Sequence, residues 1–363
     1  MKYESVGAFD EHWRLRMNKR RDKDETGREK VTIRDVAREA GVSLGTASRV
    51  VNGVPNVSAD VRSRVEQAIN RLGYRPDPLA QSMRGGATRT VGIIVRTITI
   101  PALASFVRAV QDTLHKAGYT LLITCSEDVP EREIELLALM AERRVDGVIM
   151  TTCSESDPRL AAARETLRLP IAMLDRKVKD TSSALIDHFD GTRRALEYLS
   201  ALGHRRVALI TGDVGVFPGR ERTRAFRDAA QRGVIDDIPQ LIRARAFDAD
   251  SAFFETSTML GLKTAPSAII GGGIDMLPGI LRALRAQNLR VAEDISIIGA
   301  ADSDLAMLSI PAISVIRWSY EELGHTLARL LLEQIDEDGR LEAKQILYPT
   351  EFLIRNSCAP PKK

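Results

Sequence analysis

Few residues in this chain are placed to do covalent chemistry. The five histidines, His12, His115, His188, His204 and His325, are scattered, and no serine or cysteine has a base at an activating spacing. The run Gly271-Gly272-Gly273 follows an apolar stretch, but it lacks the G-x-G-x-x-G spacing and the lysine of a phosphate loop. Cys125, Cys153 and Cys358 are spaced without pattern, which argues against a disulfide framework or a zinc site and fits a reducing cytoplasm. Neither catalysis nor a metal or other cofactor is expected. Recognition chemistry is better represented. Ten Lys/Arg against five Asp/Glu lie between Lys30 and Arg89, on a chain whose net charge is only +3.

That basic segment has an internal grammar. Thr32 is a good helix N-cap, and Asp35 three residues on completes an acidic variant of the capping box. Val36, Ala37 and Ala40 share a face, and Gly41 supplies the backbone freedom for a C-cap. Ser43 caps a second helix over 44–52, in which Ala47, Val50 and Val51 face inward and Leu44, Gly45, Ser48 and Arg49 outward. Two helices joined by a glycine-containing turn, the second small and polar outside, form a helix-turn-helix whose second helix enters a DNA major groove. Arg49 can reach guanine or phosphate there. A third helix over 59–72, opened by Val57-Ser58, offers Arg62, Arg64 and Arg71 to phosphates. The same spacing also suits a small helical bundle with solvated charges.

The elements around this motif divide 363 residues, 44% of them hydrophobic, into two or three domains. Residues 1–29 mix both charges densely and read as a disordered tail, within which Met17 is a second candidate start. The helix-turn-helix occupies 30–76. In the linker, 77–89, Asp77 can cap a short helix that begins at Pro78 and stops at Gly85-Gly86; a plain flexible linker is the alternative. From 90 to 358, apolar strands at 91–95, 120–125, 147–150, 171–174, 207–211, 267–270 and 295–299 alternate with helices near 103–116, 131–143, 192–202, 221–231, 276–286 and 320–336. The fold class is α/β: a three-helix N-terminal domain followed by a body of doubly wound parallel sheets, with a cleft at the carboxyl ends of the strands. No stretch approaches the ~20 apolar residues of a membrane span, and the N-terminus has no apolar signal core. A cytoplasmic protein without a membrane partner is expected.

The segments Val31-Thr32-Ile33-Arg34-Asp35-Val36-Ala37, Gly41-Val42-Ser43 and Ser48-Arg49-Val50-Val51-Asn52 resemble the signature of the lac-repressor (LacI-type) family. The resemblance runs on through Leu72-Gly73-Tyr74-Arg75-Pro76 and almost all of the remaining chain; only the first 29 residues fall outside it. It implies a homodimeric transcriptional regulator, of repressor type, on a roughly palindromic operator. Contacts to double-stranded DNA would come from Thr32, Ser43, Leu44, Gly45, Thr46, Ser48, Arg49 and Asn52. It also implies a hinge helix that folds on the operator, with Met83 as the minor-groove wedge where leucine is usual. Leu44 and Gly45 hold the positions that vary with the operator: Leu44 can pack on a thymine methyl, whereas Gly45 has no side chain to read a base. No leucine heptad follows Phe352, so a dimer without a tetramerising helix is expected.

For the body, the resemblance implies a periplasmic-binding-protein-like pair of subdomains with the chain crossing between them three times. One comprises about 90–187 and 320–348, the other 188–319 and 349–358. A periplasmic solute-binding protein would share this body, but it needs an export signal and has no helix-turn-helix. His204 sits in a structural segment, Gly203-His204-Arg205-Arg206. The implied effector set is Arg96, Thr151, Asp175, Arg222, Gly273 and Trp318, with Asp175 on sugar hydroxyls, Arg222 gripping the ligand and Trp318 stacking on it. Arg96 stands where relatives usually have a small or polar residue, and Gly273 and Ala301 where they have asparagine and aspartate. With Arg96 opposite Arg222 and one carboxylate between them, a surplus positive charge and hence an anionic effector are expected. If Arg96 instead pairs with Asp175 or an acidic neighbour, the ligand would be neutral. Induction and co-repression are both compatible with the sequence.

Overall fold

The computed structural model describes residues 31–51, 57–74, 87–337 and 341–362. The N-terminal tail, Asn52, Arg75-Pro76 and the hinge segment with Met83 lie outside the described residues. The chain divides into two units, Met1–Thr88 and Arg89–Lys363.

In the first unit three helices, α1 (Ile33–Glu39), α2 (Leu44–Val51) and α3 (Ala59–Leu72), close over Val36, Ala40, Val50, Val65 and Ala68. Asp35 Oδ2 accepts hydrogen bonds from the Thr32 N–H at 3.0 Å and the Thr32 hydroxyl at 2.7 Å. These bonds hold the Asp35 carboxyl below its ordinary value and seal the start of α1. At its other end Gly41 has φ +63°, which lets the Val42 N–H reach back to Ala37 O at 3.0 Å. Ser43 Oγ then accepts the Thr46 N–H at 3.1 Å and opens α2.

The second unit holds two six-stranded sheets. The first takes β1 (Thr90–Val95), β2 (Thr120–Cys125), β3 (Gly147–Met150), β4 (Ile171–Leu174), β5 (Ser182–Ile186) and β11 (Gln345–Tyr348), in the order β11-β5-β4-β3-β1-β2. The second takes β6 (Val207–Gly212), β7 (Ile242–Arg245), β8 (Ala268–Gly271), β9 (Ser296–Ala300), β10 (Ser314–Arg317) and β12 (Glu351–Leu353), in the order β12-β10-β9-β8-β6-β7. All pairings are parallel except β12 against β10. Central strands such as β3 and β6 are buried along their whole length, as parallel strands covered on both faces must be. The covering helices are α4 (Pro101–Lys116), α5 (Pro130–Glu142), α6 (Pro158–Leu167) and α12 (Tyr320–Asp336) on the first lobe. On the second they are α7 (His188–Ala201), α8 (Phe217–Gln231), α9 (Ala249–Leu260), α10 (Met276–Ala286) and the short α11 (Asp304–Leu308).

Three connections pass between the lobes: β5 to α7, β10 to α12, and β11 to β12. They run side by side, tied where the Asp187 N–H bonds Tyr348 O at 2.8 Å. His204 is structural: its buried ring bonds Ser267 Oγ, Ser296 Oγ and Ala359 O, pinning the C-terminal segment to the second sheet. Among the described residues no helix is long and apolar enough to cross a membrane.

Candidate functional site

Two surfaces carry the residues singled out by sequence. On α2 the caps leave Leu44, Gly45 and Arg49 exposed and Ser48 half-buried, while Ala47 and Val50 are buried. Arg49 is exposed and pairs with no carboxylate among the described residues. On α3, Arg64 lies 3.4 Å from Asp60, and Arg71 reaches Glu39 of α1 at 3.5 Å. Such exposed pairs contribute little to stability and are readily exchanged for phosphate contacts.

The second surface is a cavity between the two sheets, at the carboxyl ends of their strands. Arg96 follows β1, Thr151 follows β3 and Asp175 follows β4; Arg222 projects from α8, Gly273 follows β8 and Trp318 lies on the second crossing. All six line it. Asp175 has φ +52°, a left-handed conformation that aspartate tolerates. This turns its carboxylate to accept the Ile186 N–H at 3.2 Å and to meet His188 Nε2 at 2.8 Å. Burial alone would raise the Asp175 carboxyl, but His188, Arg176 and Arg222 prevail and hold it below the usual range. Arg222 is 3% exposed. Its Nη2 donates to His188 Nδ1 at 2.9 Å. Burial pulls the Arg222 pKa down to about 10, which still leaves it charged at neutral pH.

Some of the buried side-chain polar atoms without a hydrogen-bond partner among the described residues belong to this wall: Thr151 Oγ1, Arg222 Nη1 and Trp318 Nε1, the last beside the Tyr320 hydroxyl. A native interior rarely leaves such groups unsatisfied; ordered water or a ligand would serve them. Behind them Glu133, fully buried, accepts the Thr152 hydroxyl at 2.7 Å and the Cys153 N–H at 2.8 Å, with Arg164 3.7 Å away. The Arg176 Nε donates to Thr152 O at 2.7 Å, which fixes the strand ends beneath the cavity.

Two expectations about the cavity change. Arg96 does not add an uncompensated charge opposite Arg222: it forms an ion pair with Asp275 and lies 3.6 Å from Asp128. A partly buried guanidinium takes the nearest carboxylates, and these two are far from it in sequence. Gly273 does more than leave out a side chain. A Cβ there would lie 3.0 Å from Phe247 Cδ1, and one at Gly212 would lie 1.8 Å from Phe247 Cε2. The two glycines cradle the Phe247 ring, which lies 6.0 Å from the Arg222 guanidinium and forms part of the wall. Ala301 faces a separate groove, with Trp318 and Tyr320. His188, Arg176, Phe247, Asp275 and Tyr320 are residues of the site that motif spacing did not single out. The one available signal was His188 following Asp187 directly at the first crossing.

Comparisons with known proteins agree with this geometry. Residues 32–77 match the profile of the bacterial regulatory proteins, lacI family, and residues 196–358 that of a periplasmic binding protein-like domain. The chain is 32% identical over 332 residues to the HTH-type transcriptional repressor PurR of Edwardsiella ictaluri, covering 90% of this chain and 97% of the relative. It is 28% identical over 336 residues to the HTH-type transcriptional regulator DegA of Bacillus subtilis, covering 91% and 99%. Among solved structures, a lac repressor dimer bound to operator and the anti-inducer ONPF matches with a TM-score of 0.77 and 29% identity, over 91% of this chain and all of that one. A complex of the transcriptional regulator CelR with cellobiose matches with a TM-score of 0.68 and 28% identity, over 90% and 99%.

Proposed function

The chain belongs to the lacI family of bacterial regulatory proteins, and on that premise we propose that it is a homodimeric, DNA-binding repressor whose hold on its operator is set by a small molecule in the interlobe cavity. Leu44, Ser48 and Arg49 of α2 read the major groove, with Thr32, Ser43 and Thr46 placing the helix on the backbone. Arg96, Thr151, Asp175, Arg222, Gly273 and Trp318 form the effector wall. The protein acts in the cytoplasm, where its DNA is, and the reading gives it no catalytic step.

The observation that carries the effector half is the set of buried, unpartnered polar atoms on the cavity wall. The pairing of Arg96 removes the surplus charge that pointed to an anion; Arg222 and Arg176 are the other guanidiniums on the wall. The test is a thermal-shift screen of sugars, sugar acids and phosphorylated metabolites, followed by operator binding measured by fluorescence anisotropy. A true effector at 100 times its dissociation constant adds about 2.7 kcal/mol of stability. By linkage it also changes operator affinity, by about 1–3 kcal/mol per site. A ligand that stabilises the protein but leaves operator affinity unchanged would show that the cavity binds without regulating.

A further inference from the structure

His188 stands outside the residues that sequence assigned to the effector wall, yet it joins two of them, Asp175 and Arg222. Its side chain is 1% exposed. Nδ1 lies 2.9 Å from Arg222 Nη2, and Nε2 lies 2.8 Å from Asp175 Oδ2. A guanidinium has donors only, so Nδ1 must be the acceptor and carries no proton. The ring proton then resides on Nε2 and is donated to Asp175. One neutral tautomer satisfies both neighbours. The other neutral tautomer, like the imidazolium, would set an N–H against the guanidinium.

The ring has little freedom to leave this arrangement. Trp318 meets it edge-on at 5.3 Å between centroids, and Phe217 packs at 6.3 Å. The charged groups facing it are Asp175 at the end of β4, Arg176 in the following loop and Arg222 on α8. Burial first, and Arg222 second, push the imidazole below its usual range, which agrees with the neutral ring that the hydrogen bonds require.

We propose that His188 is a positioning residue of the effector site: its Nε2–H tautomer ties Arg222 of the second lobe to Asp175 of the first and aims Arg222 Nη1 at an acceptor oxygen of the ligand. This rests on the reading of the cavity as the effector site. It also narrows the ligand class. The buried unpartnered Arg222 Nη1 can only donate, and Thr151 Oγ1 can do either, so the ligand edge they meet offers at least one acceptor, such as a carbonyl oxygen. Each Asp175 oxygen already accepts one hydrogen bond, from Ile186 or His188, and keeps a second lone pair.

The test needs no ligand. Full-length protein labelled with 15N in histidine and arginine is followed by long-range 1H–15N NMR, with His188 assigned from a His188→Gln variant. At pH 7 the expected spectrum shows Nδ1 bare and Nε2 protonated, with a titration midpoint below the ordinary value of about 6.5. The midpoint should rise in Arg222→Met and fall in Asp175→Asn. In His188→Ala the Arg222 guanidinium should rotate freely and its two Nη resonances should merge. A bare Nε2, an imidazolium at pH 7, or Nη resonances still resolved in His188→Ala would each overturn the proposal. Should a variant fail to fold, the wild-type tautomer alone decides. Failure of every candidate effector to bind would remove the regulatory reading while leaving the tautomer result in place.

Discussion

Arg96 of the first lobe and Asp275 of the second form an ion pair beside the cavity. Asp275 is the N-cap of α10, so the guanidinium also lies near the start of a helix in the opposite lobe. A second clasp connects the lobes. Glu155, which follows β3, accepts the Phe217 N–H at the first turn of α8 at 2.7 Å and the Arg220 Nη2 at 2.7 Å. The carboxylate therefore satisfies an orphan donor and complements the positive end of that helix. These two clasps and the Asp175–His188 contact all cross between the lobes.

The first clasp is measurable as a coupling. In a double-mutant cycle of Arg96→Met and Asp275→Asn, followed by urea unfolding, the interaction energy should fall between about 0.5 and 3 kcal/mol, as for residues in direct contact. Strictly additive losses would mean that the pair contributes nothing to lobe closure.

The recognition helix is tested on DNA. Arg49→Ala should weaken operator binding by about 1–3 kcal/mol while changing random-sequence binding far less, because a base contact discriminates where a phosphate contact does not. The readout is anisotropy on both duplexes at one fixed salt concentration. Equal losses on the two would place Arg49 on the phosphates; the salt slope would then fall in magnitude by about 0.9.

The sequence made the helix-turn-helix legible because its caps are local. Thr32 with Asp35, Gly41, and Ser43 with Thr46 act within a few residues, and the structure uses each as its chemistry suggests. The same is true of strands such as β1 and β3, whose apolar runs are continuous. Strands β5, β7, β10, β11 and β12 went unread because they are short or lie at sheet edges and crossings, where burial is set by distant partners. Helix α7 begins at His188 rather than near 192, since Asp187 accepts the Asp190 N–H as a cap before the apolar periodicity starts. The cavity divides in the same way. Residues at the ends of strands could be placed from the strand pattern, but the partners of Arg96 could not: Asp275 lies 179 positions away. Phe247 was equally hidden, because only the backbone path brings Gly212 and Gly273 to its two edges.

Acid should destabilise the fold before the carboxylates titrate. Burial lowers the folded-state pKa of both His188 and His204. Below the unfolded value of about 6.5 the unfolded chain binds protons that the native state refuses, so stability is full above that pH and falls as pH drops below it. Each histidine contributes a slope of up to about 1.4 kcal/mol per pH unit in that window. Asp175, whose carboxyl is also held low, adds a further loss as pH falls through the carboxylate range. Urea unfolding at pH 7.0, 6.0 and 5.5 reads the slope, and His204→Gln should remove one histidine's share. A stability independent of pH from 7 to 5.5 would mean that neither ring is held neutral.

The start of α8 offers the most exacting packing test. Gly219 lies in its first turn, two residues after Phe217 and three before Arg222. A Cβ at Gly219 would stand 2.1 Å from Asp213 O and 2.4 Å from Gly212 O, both backbone atoms that no rotamer change can move. Alanine is favoured over glycine by up to about 1 kcal/mol in an open helix position. Here that preference is opposed by a clash that must displace either the helix start or the loop after β6. Gly219→Ala should therefore destabilise the protein by about 1–3 kcal/mol, as overpacking of a close contact does. It should also lower effector affinity, because the displaced turn carries both the Glu155 clasp at Phe217 and the aim of Arg222. Urea unfolding and ligand titration of the same preparation read the two effects together. A variant at least as stable as the wild type would mean that the loop at Gly212–Asp213 yields, and that the position of Arg222 does not depend on this contact.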